Sequence, residues 1–557
     1  MGPNTKKLMP IVLVLTLLVA ACGGGDDAGT SFSDGDVADE GLMGGDGALD
    51  TGDDAMDEEQ SAEALADAPA ERIAATGESS EGAGDADAAA APGGLFAPDG
   101  EVDDSDRREE DNTFADYGIR PFVSTSVDPL STFALDVDTA SYAVARRWIE
   151  EGVMPPPEAV RLEEFVNSFS YDYRAPRNGL GVVADAGPSP FTDGNIILRL
   201  GVQAENVPNA ERPPASLTFI IDTSGSMDRG DRLELVKTSL ERLVIELDRN
   251  DSVAIVTYSD SAQVLLPPTS VADEEAILDV IRDLRTDGST NLEAGLQRGY
   301  DLANESFIEG GINRVVLASD GVANVGLVDP DGLVSLIRGD ADKGIQLVTI
   351  GVGMGNFNDV TMEQLANDGD GFYAYVDTVA EAEKLFADEL VSTLLTVAID
   401  GKIQVEFDPD TVSQYRLLGF ENRAVLDDDF RNDAVDAGEL GAGHQVTALY
   451  ELTLHGSVAA SDPLGTVQLR WEDPDTRSVV ETRLELAGSI LQPRWTETAD
   501  DFRLAVTVAA LAEVLRESPY VGDVTLAQIA AEADALAPDS GEVGQLSDLI
   551  RRLLELG

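Results

Sequence analysis

Apolar and polar positions change texture several times along the chain. Between residues 213 and 398, short apolar runs at 217–221, 252–258, 314–318, 346–352 and 372–376 alternate with stretches whose apolar residues return every three or four positions. Such runs predict strands buried on both faces, and the longer period predicts amphipathic helices. The clearest helix is 233–247, with Leu233, Val236, Leu240, Leu243, Val244 and Leu247 on one face. Further helices are predicted over 274–284, 292–303, 333–338, 362–367 and 379–397, and a hairpin partner for the second strand over 263–266. Strands alternating with helices imply an α/β fold: a doubly wound, mostly parallel sheet covered on both faces.

The flanks read differently. Residues 131–145 and 159–169 predict a short strand followed by helices, and 195–202 is β-type. After residue 400, strands are predicted at 402–407, 414–419, 445–454, 465–471 and 479–486, then helices at 500–515, 526–536 and 543–556. The β segments on either side of the α/β region are expected to join into one β-rich sandwich below it. The expected organisation is an N-terminal segment over 113–212, the α/β domain over 213–398, a β-rich domain over 399–495 and a helical C-terminal region over 496–557.

The first 112 residues are other material. Lys6 and Lys7 precede an apolar run over 8–21 that is short for a membrane span and ends in Val19-Ala-Ala-Cys22. This resembles a bacterial lipoprotein cleavage box, so residues 1–22 are expected to be a signal peptide, and the resemblance implies that Cys22 carries the lipid. Residues 23–112 hold 28 acidic and three basic residues, with few aromatics and no sustained period. Such a segment cannot bury enough apolar surface to offset ordering entropy, and it reads as a disordered acidic tether. The expected location is the cell envelope, lipid-anchored and extracytoplasmic, with the outer and plasma membranes both open.

Composition narrows the chemistry. A net charge of −68 excludes a nucleic-acid binder that works by phosphate neutralisation. With one cysteine and two histidines in 557 residues, disulfide scaffolds, Cys-rich metal sites and most His-based catalysis are also set aside.

Candidate chemistry begins where the first α/β strand ends, in Asp222-Thr-Ser224-Gly-Ser226. In open α/β sheets, ligands bind beyond the carboxyl ends of the strands. Three side-chain oxygens at alternate positions of an extended loop can converge on one hard cation. Thr290, just before a predicted helix, and Asp320, directly after a buried strand, project from the same sheet edge. Asp222, Ser224, Ser226, Thr290 and Asp320 are therefore the candidate metal ligands.

This arrangement resembles the metal-ion-dependent adhesion site of von Willebrand factor type A domains. The resemblance implies a divalent cation, Mg²⁺ first with Mn²⁺ or Ca²⁺ as alternatives, and an open coordination position for an acidic group of a partner. Two carboxylates against a 2+ ion leave the site near neutral, so an incoming carboxylate is not repelled. The stretches 131–142, Gly311-Ile-Asn-Arg-Val315 and 441–450 resemble a bacterial subfamily of exported or lipid-anchored proteins with an extra segment before the A domain and a distinct domain after it. The expected function is binding of a protein or envelope ligand, not catalysis. The alternatives are a structural envelope scaffold with a stabilising metal, and a metal-dependent hydrolase, for which no base is readable near the cation.

Weaker motifs have plainer readings. Asp136-Val-Asp138-Thr139 matches an aspartyl-phosphate loop only in part and reads as a helix cap. The acidic run from Asp427 through Asp436 to Glu439 follows EF-hand spacing only in part, because Phe430 and Asp433 stand where a ligand and a glycine belong. It is expected to be a solvated acidic hairpin. In Arg229-Gly-Asp231, the aspartate is expected to favour a helix N-terminus, and His444 and His455 to be structural or surface residues.

Overall fold

A computed structural model describes residues 114–556 except 231, 322–329, 342, 354–358, 389–392 and 538–540. All of them fall within one compact unit, Ala97–Gly557. The signal segment, Cys22, the acidic tether and Asp231 lie outside the described residues.

The chain enters through β1 (Val123–Ser124) and β2 (Leu130–Ala134), passes through helices α1 (Ala140–Glu150) and α2 (Leu162–Asn167), and returns as β3 (Leu180–Pro188) and β4 (Ile196–Ala204). The α/β region follows: β5 (Ala215–Asp222), α3 (Arg232–Glu246), β6 (Ser252–Tyr258), β7 (Ala262–Ser270), α4 (Glu274–Arg282), α5 (Leu292–Glu305), β8 (Ile312–Ser319), α6 (Pro330–Ala341), β9 (Ile345–Val352), α7 (Asp359–Asn367), β10 (Tyr373–Val376) and α8 (Val379–Glu383). Its six strands run in the order β10-β9-β8-β5-β6-β7. The first five are parallel, and β7 closes the edge antiparallel to β6. Pro267 and Pro268 sit on that edge strand, where a missing N–H is tolerated.

Strand β5 explains the layering. Leu217, Phe219 and Ile221 point to one face and pack with α3 and α4 through Val236, Leu240, Leu243, Ile277 and Ile281. Ile220 points to the other and packs with Leu296, Leu317, Ile337 and Leu365 from α5, β8, α6 and α7, joined by Ala143, Val144 and Trp148 of α1. Each such side chain taken from water contributes roughly 1.5–3 kcal/mol. The two-residue period of a strand thus distributes one apolar run over two helical layers.

The chain continues as β11 (Thr396–Phe407), β12 (Val412–Leu418), β13 (Gly438–Gly441), β14 (Gln445–Leu454), β15 (Pro463–Asp473) and β16 (Ser478–Ala487), then α9 (Asp500–Leu515), α10 (Leu526–Leu536) and α11 (Glu542–Leu556). Two five-stranded sheets form: β1-β12-β14-β4-β3, and β13-β11-β15-β16 with β2 also paired to β11. Leu198, Leu200 and Val202 of β4 share one apolar core with Ile403, Val405 and Phe407 of β11. Each sheet combines strands from before and after the α/β region, and the two sheets are the faces of one sandwich. The other face of the first sheet carries Ile197 and Leu449 against α2, α9 and α11, so β4 is buried on both sides.

One predicted element differs. The helix expected over 379–397 is α8 followed by a π-turn at Lys384–Asp388, and β11 already begins at Thr396. Thr396 and Ala398 pair with Gly441 and Leu440 of β13. A segment rich in Leu, Val and Thr satisfies either periodicity, and here the open edge of β13 decides.

Candidate metal site at the sheet edge

In the central sheet, β5 connects to β6 on one side, and the chain later returns on the other through β8. The topological switch point is thus the crevice between the carboxyl ends of β5 and β8, where ligands bind in open α/β sheets. Asp222 is the last residue of β5 and Asp320 follows the last residue of β8. Both are buried.

The serine loop folds tightly over Asp222. Its Oδ1 accepts the Ser224 N–H at 2.8 Å, and its Oδ2 accepts the hydroxyls of Ser319 at 2.9 Å and Tyr258 at 3.3 Å. The Ser224 and Ser226 hydroxyls are 2.9 Å apart, and Ser226 Oγ donates to Asp320 Oδ1 at 3.0 Å. Buried Met227 anchors the loop in the core beside α3. The loop before α5 is laced to it by Asp287 N–H to Thr223 O at 2.6 Å and Gly225 N–H to Gly288 O at 3.1 Å. Thr290 is buried in that second loop, and Asn291 caps α5 by accepting the Ala294 N–H at 3.1 Å. The structure thus brings Asp222, Ser224, Ser226 and Asp320 into one hydrogen-bonded group and sets the Thr290 loop against it.

Burial, and next the charge of Asp320, push the Asp222 carboxyl up to about 6, against the opposing pull of the Ser224 and Ser319 hydrogen bonds. Two carboxylates are thus held together in a dry crevice. The donor set consists of carboxylate and hydroxyl oxygens, with neither thiolate nor imidazole, and this chemistry fits a hard divalent cation.

Sequence reasoning missed one member of the site. Arg232, the first residue of α3, donates from Nη1 to Asp320 Oδ2. The partners are 88 positions apart, and no local pattern links them.

The weaker motifs resolve into structural roles. Arg423 binds Asp136 at 3.1 Å, Asp138 at 2.8 Å and Glu363 at 3.1 Å, and Asp138 also accepts the Tyr373 N–H at 2.9 Å. The expected helix cap is not formed, since Thr139 makes no side-chain cap hydrogen bond at the start of α1; the aspartate pair instead ties the N-terminal segment to the α/β domain through Tyr373 and to the sandwich through Arg423. Asp427 accepts the Thr132 hydroxyl, Asp429 the Asn432 amide, and Asp433 pairs with Arg470, so these residues do not form an EF-hand loop. His444 is half-buried, accepts the Gly441 N–H on Nδ1 at 3.0 Å and stacks edge-on against Phe372 at 5.8 Å.

Comparisons with known proteins agree with this architecture. The von Willebrand factor type A domain profile matches residues 216–388, a second von Willebrand factor profile matches 108–199, and the profile of the C-terminal region of uncharacterised protein YfbK matches 392–556. The chain is 36% identical over 470 residues to the uncharacterised protein YfbK of Escherichia coli strain K12, covering 80% of each. It is 25% identical over 207 residues to inter-alpha-trypsin inhibitor heavy chain H1 of Mesocricetus auratus, covering 35% of this chain and 22% of that one. A solved von Willebrand factor type A protein from Catenulispora acidiphila aligns over 70% of this chain and 89% of its own, at 16% identity and a TM-score of 0.39. The profile matches and the YfbK relative make this a von Willebrand factor type A protein with a distinct C-terminal domain, a class of interaction or adhesion modules that commonly bind divalent metals. Within that class, the chain belongs to the YfbK family.

Proposed function

We propose that this chain is a lipid-anchored, extracytoplasmic binding protein that engages an acidic group on a protein or envelope partner through a divalent cation, Mg²⁺ first. Asp222, Ser224, Ser226, Thr290 and Asp320 hold the cation. The observation that carries this reading is the 3.0 Å hydrogen bond from Ser226 Oγ to Asp320 Oδ1, which ties the loop that holds Asp222 to the end of β8. When bound, the cation supplies a positive centre with a coordination position for a partner's carboxylate oxygen. The chain's own residues orient that centre. The Ser224 N–H and the Ser319 and Tyr258 hydroxyls fix Asp222, while Ser226 and Arg232 fix Asp320.

Placement supports a binding role. The sandwich joins the opposite edge of the sheet: Arg314, near the start of β8, donates to Leu394 O and to Thr396 Oγ1, both at 2.9 Å. The serine loop therefore faces away from the sandwich. Titration calorimetry with Mg²⁺ and Mn²⁺ on wild type and Asp222→Ala tests the site, and equal binding by both would refute it. A pull-down from the host envelope in Mg²⁺ or in EDTA tests the role. Chelation that lowers the melting temperature without releasing any partner would point to a scaffold instead.

A further inference from the structure

A second group of carboxylates sits at the foot of the central sheet, on the side away from the serine loop. Asp370 lies in the turn between α7 and β10, at the amino end of the strand. Glu439 lies on β13 of the sandwich and Asp436 in the loop before it. One carboxylate oxygen of each residue lies within 4.8 Å of the other two. Glu439 is only 8% exposed, and its Oε1 has no hydrogen-bond partner. Asp370 is half-buried and Asp436 exposed, so the group opens to solvent on one side.

The backbone fixes each of the two turns in place. A Cβ on Gly371 would stand 1.7 Å from the Leu347 carbonyl oxygen, and one on Gly438 would stand 2.0 Å from the Leu135 carbonyl oxygen. Each carboxylate-bearing turn is thus pressed, backbone to backbone, against a neighbour that cannot give way. The hydrogen bonds of the nearby cations go to other groups, although Arg314 keeps Nη1 without a partner and its charge acts on Glu439. Arg314 donates to Leu394 and Thr396, Lys402 to the carbonyls of Asn432 and Val435, Arg470 to Asp433, and Arg423 to Asp136, Asp138 and Glu363. Burial first, then the charges of Asp370, Asp436 and Asp400, hold the Glu439 carboxyl well above the usual range.

An orphaned buried carboxylate beside two others needs either protons or a cation. Donor type and number favour the cation. Three carboxylate oxygens within 4.8 Å of one another can share one ion, and Ca²⁺ accepts several carboxylates at about 2.4 Å with irregular geometry and water in the remaining positions. Mg²⁺ takes a smaller, stricter octahedron with one or two carboxylates.

We propose that Asp370, Asp436 and Glu439 bind a Ca²⁺ ion that clamps the foot of the α/β domain to the β-sandwich. The site is independent of the serine loop, and its ligands come from two parts of the chain that the fold brings together. The test uses the full chain carrying Asp222→Ala, so that the serine-loop site is silent, with CaCl₂ as the probe. Calorimetry and thermal unfolding in Ca²⁺ or EGTA are compared with the same chain also carrying Glu439→Gln or Asp370→Asn. Weak binding by the acidic tether is common to all three and cancels. The expected result is a Ca²⁺-dependent rise in melting temperature with Asp222→Ala alone. Each added substitution should weaken Ca²⁺ binding at least about tenfold, or about 1.4 kcal/mol, with Asp370→Asn serving as the readout if the buried Glu439→Gln variant fails to fold. Equal Ca²⁺ responses in all three chains would overturn the proposal. So would the absence of any Ca²⁺ response together with a Glu439→Gln chain that is more stable in EGTA, which would assign shared protons to the cluster.

Discussion

Arg232 and Ser226 grip Asp320 from two sides: the guanidinium donates to Oδ2, and the hydroxyl donates to Oδ1 at 3.0 Å. The guanidinium adds one positive charge to an edge that already holds two carboxylates. With a divalent cation in place, the local sum becomes +1, which draws an acidic partner but repels the cation itself. Like charges a few ångströms apart in a partly buried site interact by about 1–3 kcal/mol. Arg232→Met should therefore tighten Mg²⁺ binding by roughly five- to a hundredfold and lower the melting temperature in EDTA, because Asp320 loses its counter-charge. Calorimetry and thermal unfolding measure both. Weaker Mg²⁺ binding would show that the guanidinium serves mainly to position Asp320.

Much of the geometry of this edge was legible in the sequence, because each β strand that delivers a candidate ligand ends in it. An apolar run followed by Asp222 or Asp320 announces both the strand and its carboxyl end. Arg232 was not legible, since a helix-initiating arginine looks like any solvated first-turn residue until β8 brings Asp320 to it. The carboxylates at the foot were harder still. Asp436 and Glu439 stood out only as part of an imperfect EF-hand pattern, and their partner Asp370 lies on the other side of a domain boundary. The sandwich pairing was anticipated because both flanks carry β-type runs. The switch from α8 to β11 was not, because β13, which decides it, lies about forty residues downstream.

Cys22 is expected to carry the anchor. Metabolic labelling with a radioactive fatty acid should mark the wild-type chain and not Cys22→Ser, and the variant should leave the membrane fraction. Equal labelling of both would remove the lipid anchor from the reading and leave the serine-loop site untouched.

His444 gives the fold a defined acid sensitivity. Burial, and next the charge of Arg314, push its imidazole down to about 4. In the unfolded chain the ordinary value is about 6.5, so between those limits the unfolded state holds a proton that the folded state refuses. The contribution is complete above about pH 6.5 and is lost as pH falls toward 4, by up to about 3 kcal/mol. Glu163, raised to about 7 chiefly by burial, and Asp222 act with the opposite sign in the same window, since folded carboxyls that keep a proton lose stability as pH rises. The useful quantity is therefore the difference in urea unfolding energy between wild type and His444→Asn, whose Oδ1 takes the position of the Nδ1 that accepts the Gly441 N–H. That difference should shift against wild type as pH drops from 6.5 to 4. A flat difference would show that the imidazole is protonated in the fold.

Among the described residues Arg416 is the largest side chain that is completely buried, and it joins the sandwich to the C-terminal helices. From β12 its guanidinium reaches Glu513 of α9 at 3.3 Å and Glu451 of β14 at 3.5 Å, with its carbon 4.7 Å from the ring centroid of Tyr520. Glu513 also holds Arg516, which keeps a second partner in Glu421 at 3.0 Å. Removing one member of a buried pair strands the other charge, at a typical cost of about 3–5 kcal/mol. Glu513→Met should cost that much in urea unfolding, because Arg416 is left with only the longer contact to Glu451. The double variant Arg416→Met with Glu513→Met should cost less than the sum of the two singles: no guanidinium then remains unpaired at that junction, Arg516 retains Glu421, and Glu451, which loses its guanidinium, still accepts the Ser189 hydroxyl and the Asn195 amide. A Glu513→Met cost below about 1 kcal/mol, or a double variant worse than the sum of the two singles, would show that the helices dock on apolar packing alone and that this ion cluster contributes nothing to the junction.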